Sequence, residues 1–502
     1  MLSFQVTIMR TWKTRRLLAR AWRALLALDT SEAEFLATQL ERSQMTTVAG
    51  TEAPDYTIAV LRAAVLALQD DSVAALHLAR RAHQACTDME CRSLAAMICR
   101  WAHWRAGELN EFHSAGRAQW RPGLRRCRAI TTVFDLNLEA AVEFGRLRLT
   151  VSRTLATEAL EHARRTACSE SAAGLLAATL VAQVAYEQGQ LEEAELTIRY
   201  RMSMIRTSAT IECVSRAYII LARLAVHRQR SDNALTLLRD ALALGEKRRW
   251  PALIAAMLAE RVRILLDENQ EADAQSAMRD LDTLLRSQPT TSASAQADME
   301  IHRQAAQLRF RQRHVTAAQT ATAVDDLRQK ALAGSDLRLA LEMHLISVAA
   351  FAQCGDIFEA QEQLIDALDV GAANGLCMTF VDAGPVVLKH LAELCHAPAI
   401  SDERVLELRP YMHTLLARSP CSQRPTSFTR RPAEAIRQPL TPREGNVLRL
   451  IAGGLSNKRI AQRLDITPET VKSHTKSIFA KLAAQTRAQA VAHGEALGLI
   501  QS

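Results

Sequence analysis

Over the first 417 positions apolar residues recur at intervals of three and four, among abundant Ala, Leu, Arg and Glu, with few glycines and no convincing alternating strand pattern. At 3.6 residues per turn this spacing lines one side of a helix, whereas a strand needs a period of two. The pattern therefore predicts an all-α chain.

The helices also repeat. The segment from Tyr186 through Gly189 to Ala194 returns in outline at His227 to Ala234, at Asp267 to Ala274 and at Cys354 to Ala360. Ala194, Ala234 and Ala274 are forty residues apart, Ala318 and Ala360 continue the series, and looser echoes fall at Ala33, Ala74, Phe112 and around Ala156. Each unit reads as a helix, a short polar turn and a second helix whose small residue permits close approach. Roughly nine such hairpins predict a superhelical solenoid similar to tetratricopeptide (TPR) arrays, the alternative being a helical bundle with a chance period. A solenoid offers a concave face suited to binding a protein, peptide or small ligand.

The last sixty residues have a different grain. Thr441, Pro442 and Glu444 form a capping box with proline at the first helical position, opening a helix to Ala452 whose apolar face is Val447, Leu448, Leu450 and Ile451. Gly453 and Gly454 stop it, because glycine accepts the left-handed geometry of a helix end. Ser456 caps a second helix with Ile460, Ala461 and Leu464 inward, and after the turn Asp465-Ile466-Thr467 the pair Thr467-Pro468 starts a third, to residue 482. Helices joined so tightly must cross steeply. On the third, Val471, Thr475, Ile478 and Leu482 share one side, and Glu469, Lys472, Ser473 and Lys476 share the other. Lysine pairs are usually just a solvated face, but two capped helices at this spacing, with lysines outward on the second, form a helix-turn-helix that reads the DNA major groove. His474, at the edge of the apolar stripe, suits a packed or capping role as well as a phosphate contact. Glu444 reads as a cap and internal ion-pair partner.

Charge divides the chain in the same place. From Arg418 to Ser502 there are fourteen Lys and Arg against five Asp and Glu, a net of +9, while the whole chain carries +8, so the first 417 residues sum to about −1. Affinity for DNA comes largely from displacing counterions at phosphates, which makes this asymmetry the footprint of a nucleic-acid end on a neutral module. Residues 418–439, with four prolines and five arginines, have the composition of an extended linker whose arginines either touch phosphates or keep it solvated. The organisation expected is residues 1–417 as helical-repeat sensor or interaction domain, 418–439 as basic Pro-rich linker and 440–502 as the DNA-binding domain.

With these motifs in place, residues 440–500 resemble the C-terminal domain of the LuxR family of bacterial transcription regulators: T-P-R-E from Thr441, V-L-R-L-I-A from Val447, S-N-K from Ser456, T-V-K-S-H from Thr470, and Lys481-Leu482. The resemblance implies that Lys472, Ser473 and Lys476 approach base edges, that Asn457, Lys458, Thr470 and His474 lie near the sugar-phosphate backbone, and that a fourth helix, Thr486 to about Leu497, dimerises the domain on a two-fold operator. Asn446 and Arg459 stand where the family usually has acidic residues, and Ala484 where it has a larger aliphatic one. The segment from Ala367 to Leu391, with Phe380, Asp382, Ala383, Gly384 and Pro385, resembles the last repeat of the large MalT-type members. Those members also carry a nucleotide-binding domain, yet no G-x-x-x-x-G-K-[ST] occurs here, so no cofactor is expected.

Enzyme chemistry finds little support. The ten cysteines include no C-x-x-C, Cys86 and Cys91 are too isolated for a zinc site, and neither H-E-x-x-H nor G-x-S-x-G occurs. No catalytic or metal site is expected, and no acidic cluster of a phosphorylated receiver domain is legible. The N-terminal charges follow a short mixed apolar run, the reverse of a secretion signal, and no eighteen-residue apolar stretch exists, which suggests a cytoplasmic bacterial protein without membrane contact. The function expected is sequence-specific regulation of transcription, by a homodimer on double-stranded operator DNA. The repeats would sense a small-molecule or protein effector, with RNA polymerase as a further partner. The alternative is a helical-repeat adaptor or scaffold with accessory weak DNA binding; a steep, sequence-specific salt dependence separates the two.

Overall fold

The computed structural model describes residues 14–25, 29–45, 56–86, 88–115, 125–287, 292–311, 317–333, 336–396, 403–419, 441–452, 455, 457–464, 466–481 and 490. The chain divides into two compact units, Met1–Arg424 and Pro425–Ser502. Among the described residues all regular structure is helical.

In the first unit consecutive helices pair antiparallel. The first helix of a hairpin is apolar almost all round: in Pro251–Asp267 most residues are buried, as they are in Ala172–Glu187. The second is amphipathic: Ser231–Arg248 buries only Ala234, Leu238, Ala241 and Gly245, and Glu271–Ser287 buries Ala274, Ala277, Met278 and Leu281. The difference follows from position, since an inner helix is packed between neighbours on both sides and an outer one presents its back to water. At Gly245 the approach is so close that a Cβ would lie 2.7 Å from Ile254 Cγ1.

One turn repeats through the array. Asp70, Gly107, Leu147, Gly189, Gln229, Asn269 and Gly355 all adopt left-handed backbone, φ 59° to 86°. In each case the following amide donates to the carbonyl five residues back, as Gln190 N does to Ala185 O and Gln270 N to Leu265 O at 2.8 Å. This is the Schellman closure of a helix end. Five residues beyond each left-handed position stands the small or buried residue of the second helix: Ala75, Phe112, Ser152, Ala194, Ala234, Ala274 and Ala360, each 0 % exposed. Two of the looser echoes are thereby corrected. Ala74 is only half-buried and Ala75 holds its place. Ser152 holds the place assigned near Ala156, and its hydroxyl, hidden from an apolar count, donates to Ala140 O at 2.7 Å. Ala33 is buried as expected, and the side chain of Ala318 lies outside the described residues.

Repeats distant in sequence also meet one another. Ser292 Oγ donates to Asp70 O at 2.6 Å, and Arg105 bridges Asp70 and Asp298 at 2.9 and 2.5 Å. Further along, Cys377 N donates to Glu187 O and Thr379 N to Glu187 Oε1, both at 2.9 Å. Arg223 pairs with Glu260 at 2.9 Å and with Asp382 at 3.1 Å, and Asp382 also accepts from Tyr186 at 2.9 Å. Burial would raise the Glu260 carboxyl, but Arg223 and Arg263 hold it far below the usual range. Beside the first of these sets, with Asp70 in its wall, lies a cavity of about 1030 Å³. Arg418 belongs to the array by its contacts: it ends the helix Glu403–Arg418 and donates to Gln188 O at 3.1 Å.

Candidate nucleic-acid interface

The second unit contains the helices Pro442–Ala452, Asn457–Leu464 and Pro468–Lys481. Its core is Val447, Leu448, Ile451, Ile460, Ala461, Val471, Ile478 and Ala490, with Leu450 and Leu464 packed against it. Every residue named from the sequence as inward on the first two helices thus lies in or against the core. On the third, Val471 and Ile478 are buried and Thr475 is half-buried, while Leu482 lies outside the described residues.

The capping box forms as the T-x-x-E spacing demands. Thr441 N donates to Glu444 Oε2 at 2.6 Å and Glu444 N to Thr441 Oγ1 at 3.3 Å. Glu444 does more than cap. Ser477 Oγ donates to its Oε1 at 2.6 Å and Lys481 Nζ lies 2.8 Å from its Oε2, so one carboxylate joins the start of the first helix to the end of the third. Burial pushes this carboxyl up, but the hydrogen bonds from Lys481, Ser477 and Thr441 outweigh it and hold it at about 2. Ser477 and Lys481 were not named as partners of Glu444 from the sequence, since 33 and 37 residues separate them from it and no local period joins them.

The third helix is capped in the same manner, with Thr470 N donating to Thr467 Oγ1 at 3.2 Å and the two hydroxyls 2.8 Å apart. Its outer face carries Glu469, Lys472, Ser473 and Lys476, all exposed, and His474 is half-buried at the margin. Lys472 Nζ rests 3.0 Å from Glu469 Oε2. Thr470 is exposed and Asn457 half-buried. The side chain of Lys458 lies outside the described residues, as do Gly454, Ser456 and all of the expected fourth helix except Ala490, which is buried. The exposed face is thus a short cationic and hydroxylic strip on a helix whose opposite side is pinned to two others, an arrangement that can present donors to phosphates and base edges.

Comparison with known proteins agrees with this geometry. Residues 56–397 match the MalT-like TPR region, and residues 438–493 match the bacterial regulatory proteins of the luxR family. The nitrate/nitrite response regulator protein NarL of Escherichia coli strain K12 is 55% identical over 51 residues, 10% of this chain and 24% of that protein. The HTH-type transcriptional regulator MalT of Klebsiella pneumoniae strain 342 is 31% identical over 158 residues, 29% of this chain and 17% of that protein. The chain therefore spans under a quarter of the length of either relative. A solved Rap protein complexed with competence and sporulation factor superposes with a TM-score of 0.40 at 14% identity, over 80% of this chain and 96% of that one. With a MalT-like TPR region over most of its length and a luxR-type domain at its C-terminal end, the chain belongs to the luxR family of bacterial regulatory proteins, in its MalT-like branch.

Proposed function

We propose that the chain regulates transcription by setting the helix Pro468–Lys481 into the major groove of an operator, under the control of an effector held by the repeats. Lys472, Ser473 and Lys476 face base edges in this reading, while Asn457, Lys458, Thr470 and His474 hold the sugar-phosphate backbone. The observation that carries it is the exposure of Lys472, Ser473 and Lys476 on one face of a helix anchored on its other face by Val471 and Ile478. Residues up to Arg418 are the sensor, the segment from there to 439 a basic linker and 440–502 the reader. A second copy of the chain, paired through the segment after Lys481, supplies the other half-site, and RNA polymerase is the further partner, in the bacterial cytoplasm.

Footprinting over a salt series tests the reading. A specific operator should lose affinity steeply as salt rises, Lys476→Ala should remove about 1 to 3 kcal/mol of preference for it, and Lys458→Ala should weaken all sequences about equally. Equal competition by random DNA at moderate salt would overturn it.

A further inference from the structure

The cavity of about 1030 Å³ lies within the repeat unit and is as large as the larger sites that enclose small organic ligands. Its walls combine two chemistries. Trp101, Trp104, Phe134 and Trp250 supply aromatic surface, and Leu176 and Leu180 aliphatic surface. Such a lining gains from enclosing an apolar body and can stack on a flat one.

Polar groups with unmet capacity face the same space. Asn137 is 1 % exposed; its Nδ2 donates to Ala173 O at 2.9 Å, while its Oδ1 has no hydrogen-bond partner among the described residues. Thr210 Oγ1 is likewise buried and unpartnered among them. Buried acceptors are costly when unpaired, so both call for a donor or a water from the cavity.

The decisive group is Arg216. Its Nε donates to Gln183 Oε1 at 2.5 Å and its Nη1 to Thr179 Oγ1 at 3.3 Å, both neutral acceptors. Glu212, one turn earlier on the same helix, makes no ion pair with it among the described residues. Elsewhere in the array Arg100, Arg105, Arg223 and Arg263 each have a carboxylate within 3.1 Å, whereas Arg309, outside this cavity, is like Arg216 pulled down by burial. Arg248, at the edge of the cavity and 4.8 Å over the Trp250 ring, also donates only to neutral acceptors, the carbonyls of Arg206 and Thr207. Burial pulls both guanidinium groups below their ordinary range, for Arg216 against the opposing charge of Glu212, which lines the same cavity.

We infer that this cavity binds a small amphipathic organic anion, its carboxylate, sulfonate or phosphate on Arg216 and its aromatic or branched apolar body against Trp101, Trp104, Phe134 and Trp250. A guanidinium gives such a group charge-assisted hydrogen bonds that a neutral ligand cannot accept as strongly. A donor on the ligand would complete Asn137 Oδ1. The inference rests on the proposal that the repeats hold an effector, and adds its chemical class and its anchor.

The test uses the full chain and two fluorescent probes of one shape, the anionic anilinonaphthalene sulfonate and the neutral phenylnaphthylamine, with energy transfer from tryptophan as the readout. The wild type should bind the anion saturably at one site. Arg216→Gln should weaken it by about tenfold while changing the neutral probe less than about twofold. Arg216→Lys should keep part of the anion affinity, and Trp250→Ala should weaken both probes. Circular dichroism melts confirm that the variants are folded. Equal binding of the anion by wild type and Arg216→Gln, or no saturable site in the wild type, would overturn the inference. Operator footprinting of ligand-free Arg216→Gln, which should match wild type, separates a failure of this site from a failure of the DNA-binding reading.

Discussion

Lys481 Nζ lies 2.8 Å from Glu444 Oε2, so the last turn of the proposed recognition helix is tied to the first turn of the domain. Both side chains are largely withdrawn from solvent, at 14% and 5% exposure, which makes this contact stronger than an ordinary surface pair. Together with the shared core of Val447, Ile451, Val471 and Ile478, it holds the third helix on the first.

Replacing Glu444 by Gln should therefore loosen the domain. It leaves Lys481 without its counter-charge and weakens a helix cap, a combined cost on the order of 2 kcal/mol. Hydrogen exchange across residues 441–481 in the full chain should show faster opening. Unchanged protection would refute the role assigned to this carboxylate.

The same group sets a pH dependence. Glu444 titrates at about 2 in the folded chain against an ordinary 4.5, so its stabilisation is complete above pH 4.5 and is lost as pH falls toward 2. Acid titration followed by exchange should show that slope in the wild type and a reduced one in Glu444→Gln.

Glu469 holds Lys472 at 3.0 Å on the exposed face. Glu469→Gln should free the lysine and remove a negative charge from the strip. Affinity for DNA of any sequence should rise a few-fold, with a steeper salt slope, while stability changes by less than about 1 kcal/mol. Weaker binding by the variant would show instead that Glu469 itself touches the duplex productively.

Glu187 makes the opposite case to Glu444. Burial raises its carboxyl despite the hydrogen bond from Thr379 N, so the folded protein is destabilised as pH rises above the ordinary 4.5 and the group is forced to ionise. Glu187→Gln retains an acceptor for Thr379 N and removes that cost. Thermal melts near neutral pH should move upward, and a fall would show that the charge is needed by the cluster around it.

The repeated left-handed turn separates two substitutions. Gly189 has φ +74°, and a Cβ there would lie 2.7 Å from Arg418 Nη1, so Gly189→Ala should destabilise by about 1 to 2 kcal/mol. Gln229 occupies the equivalent position with a side chain, at φ 59°. Gln229→Gly should be neutral or stabilising by up to about 1 kcal/mol, because relief of the backbone offsets the added chain entropy. Denaturant melts should show a loss of stability for Gly189→Ala and none for Gln229→Gly.

What was legible in the residue order was what is encoded locally. The capping box of Thr441 with Glu444, the cap-plus-proline start at Thr467-Pro468, the inward set from Val447 to Ile478, and the outward set Lys472, Ser473 and Lys476 lie within a few turns of one another, where helical period and cap chemistry act directly. The forty-residue recurrence of Ala194, Ala234 and Ala274 was visible for the same reason. The register failed at Ser152, whose packing role depends on a hydrogen bond to Ala140 that apolarity does not reveal.

Tertiary structure alone decided the contacts that close the array. Ser292 meets Asp70, and Glu187 meets Cys377 and Thr379, because small rotations at successive hairpins add up over 222 and about 190 residues. The same accumulation places Arg216 among aromatic walls with only neutral hydrogen-bond acceptors, and in the second unit the steep crossing of three helices brings Lys481 back to Glu444. Local sequence determines that a helix forms and which side it buries; which distant side chain lies opposite depends on angles summed along the chain, and no single segment contains that sum.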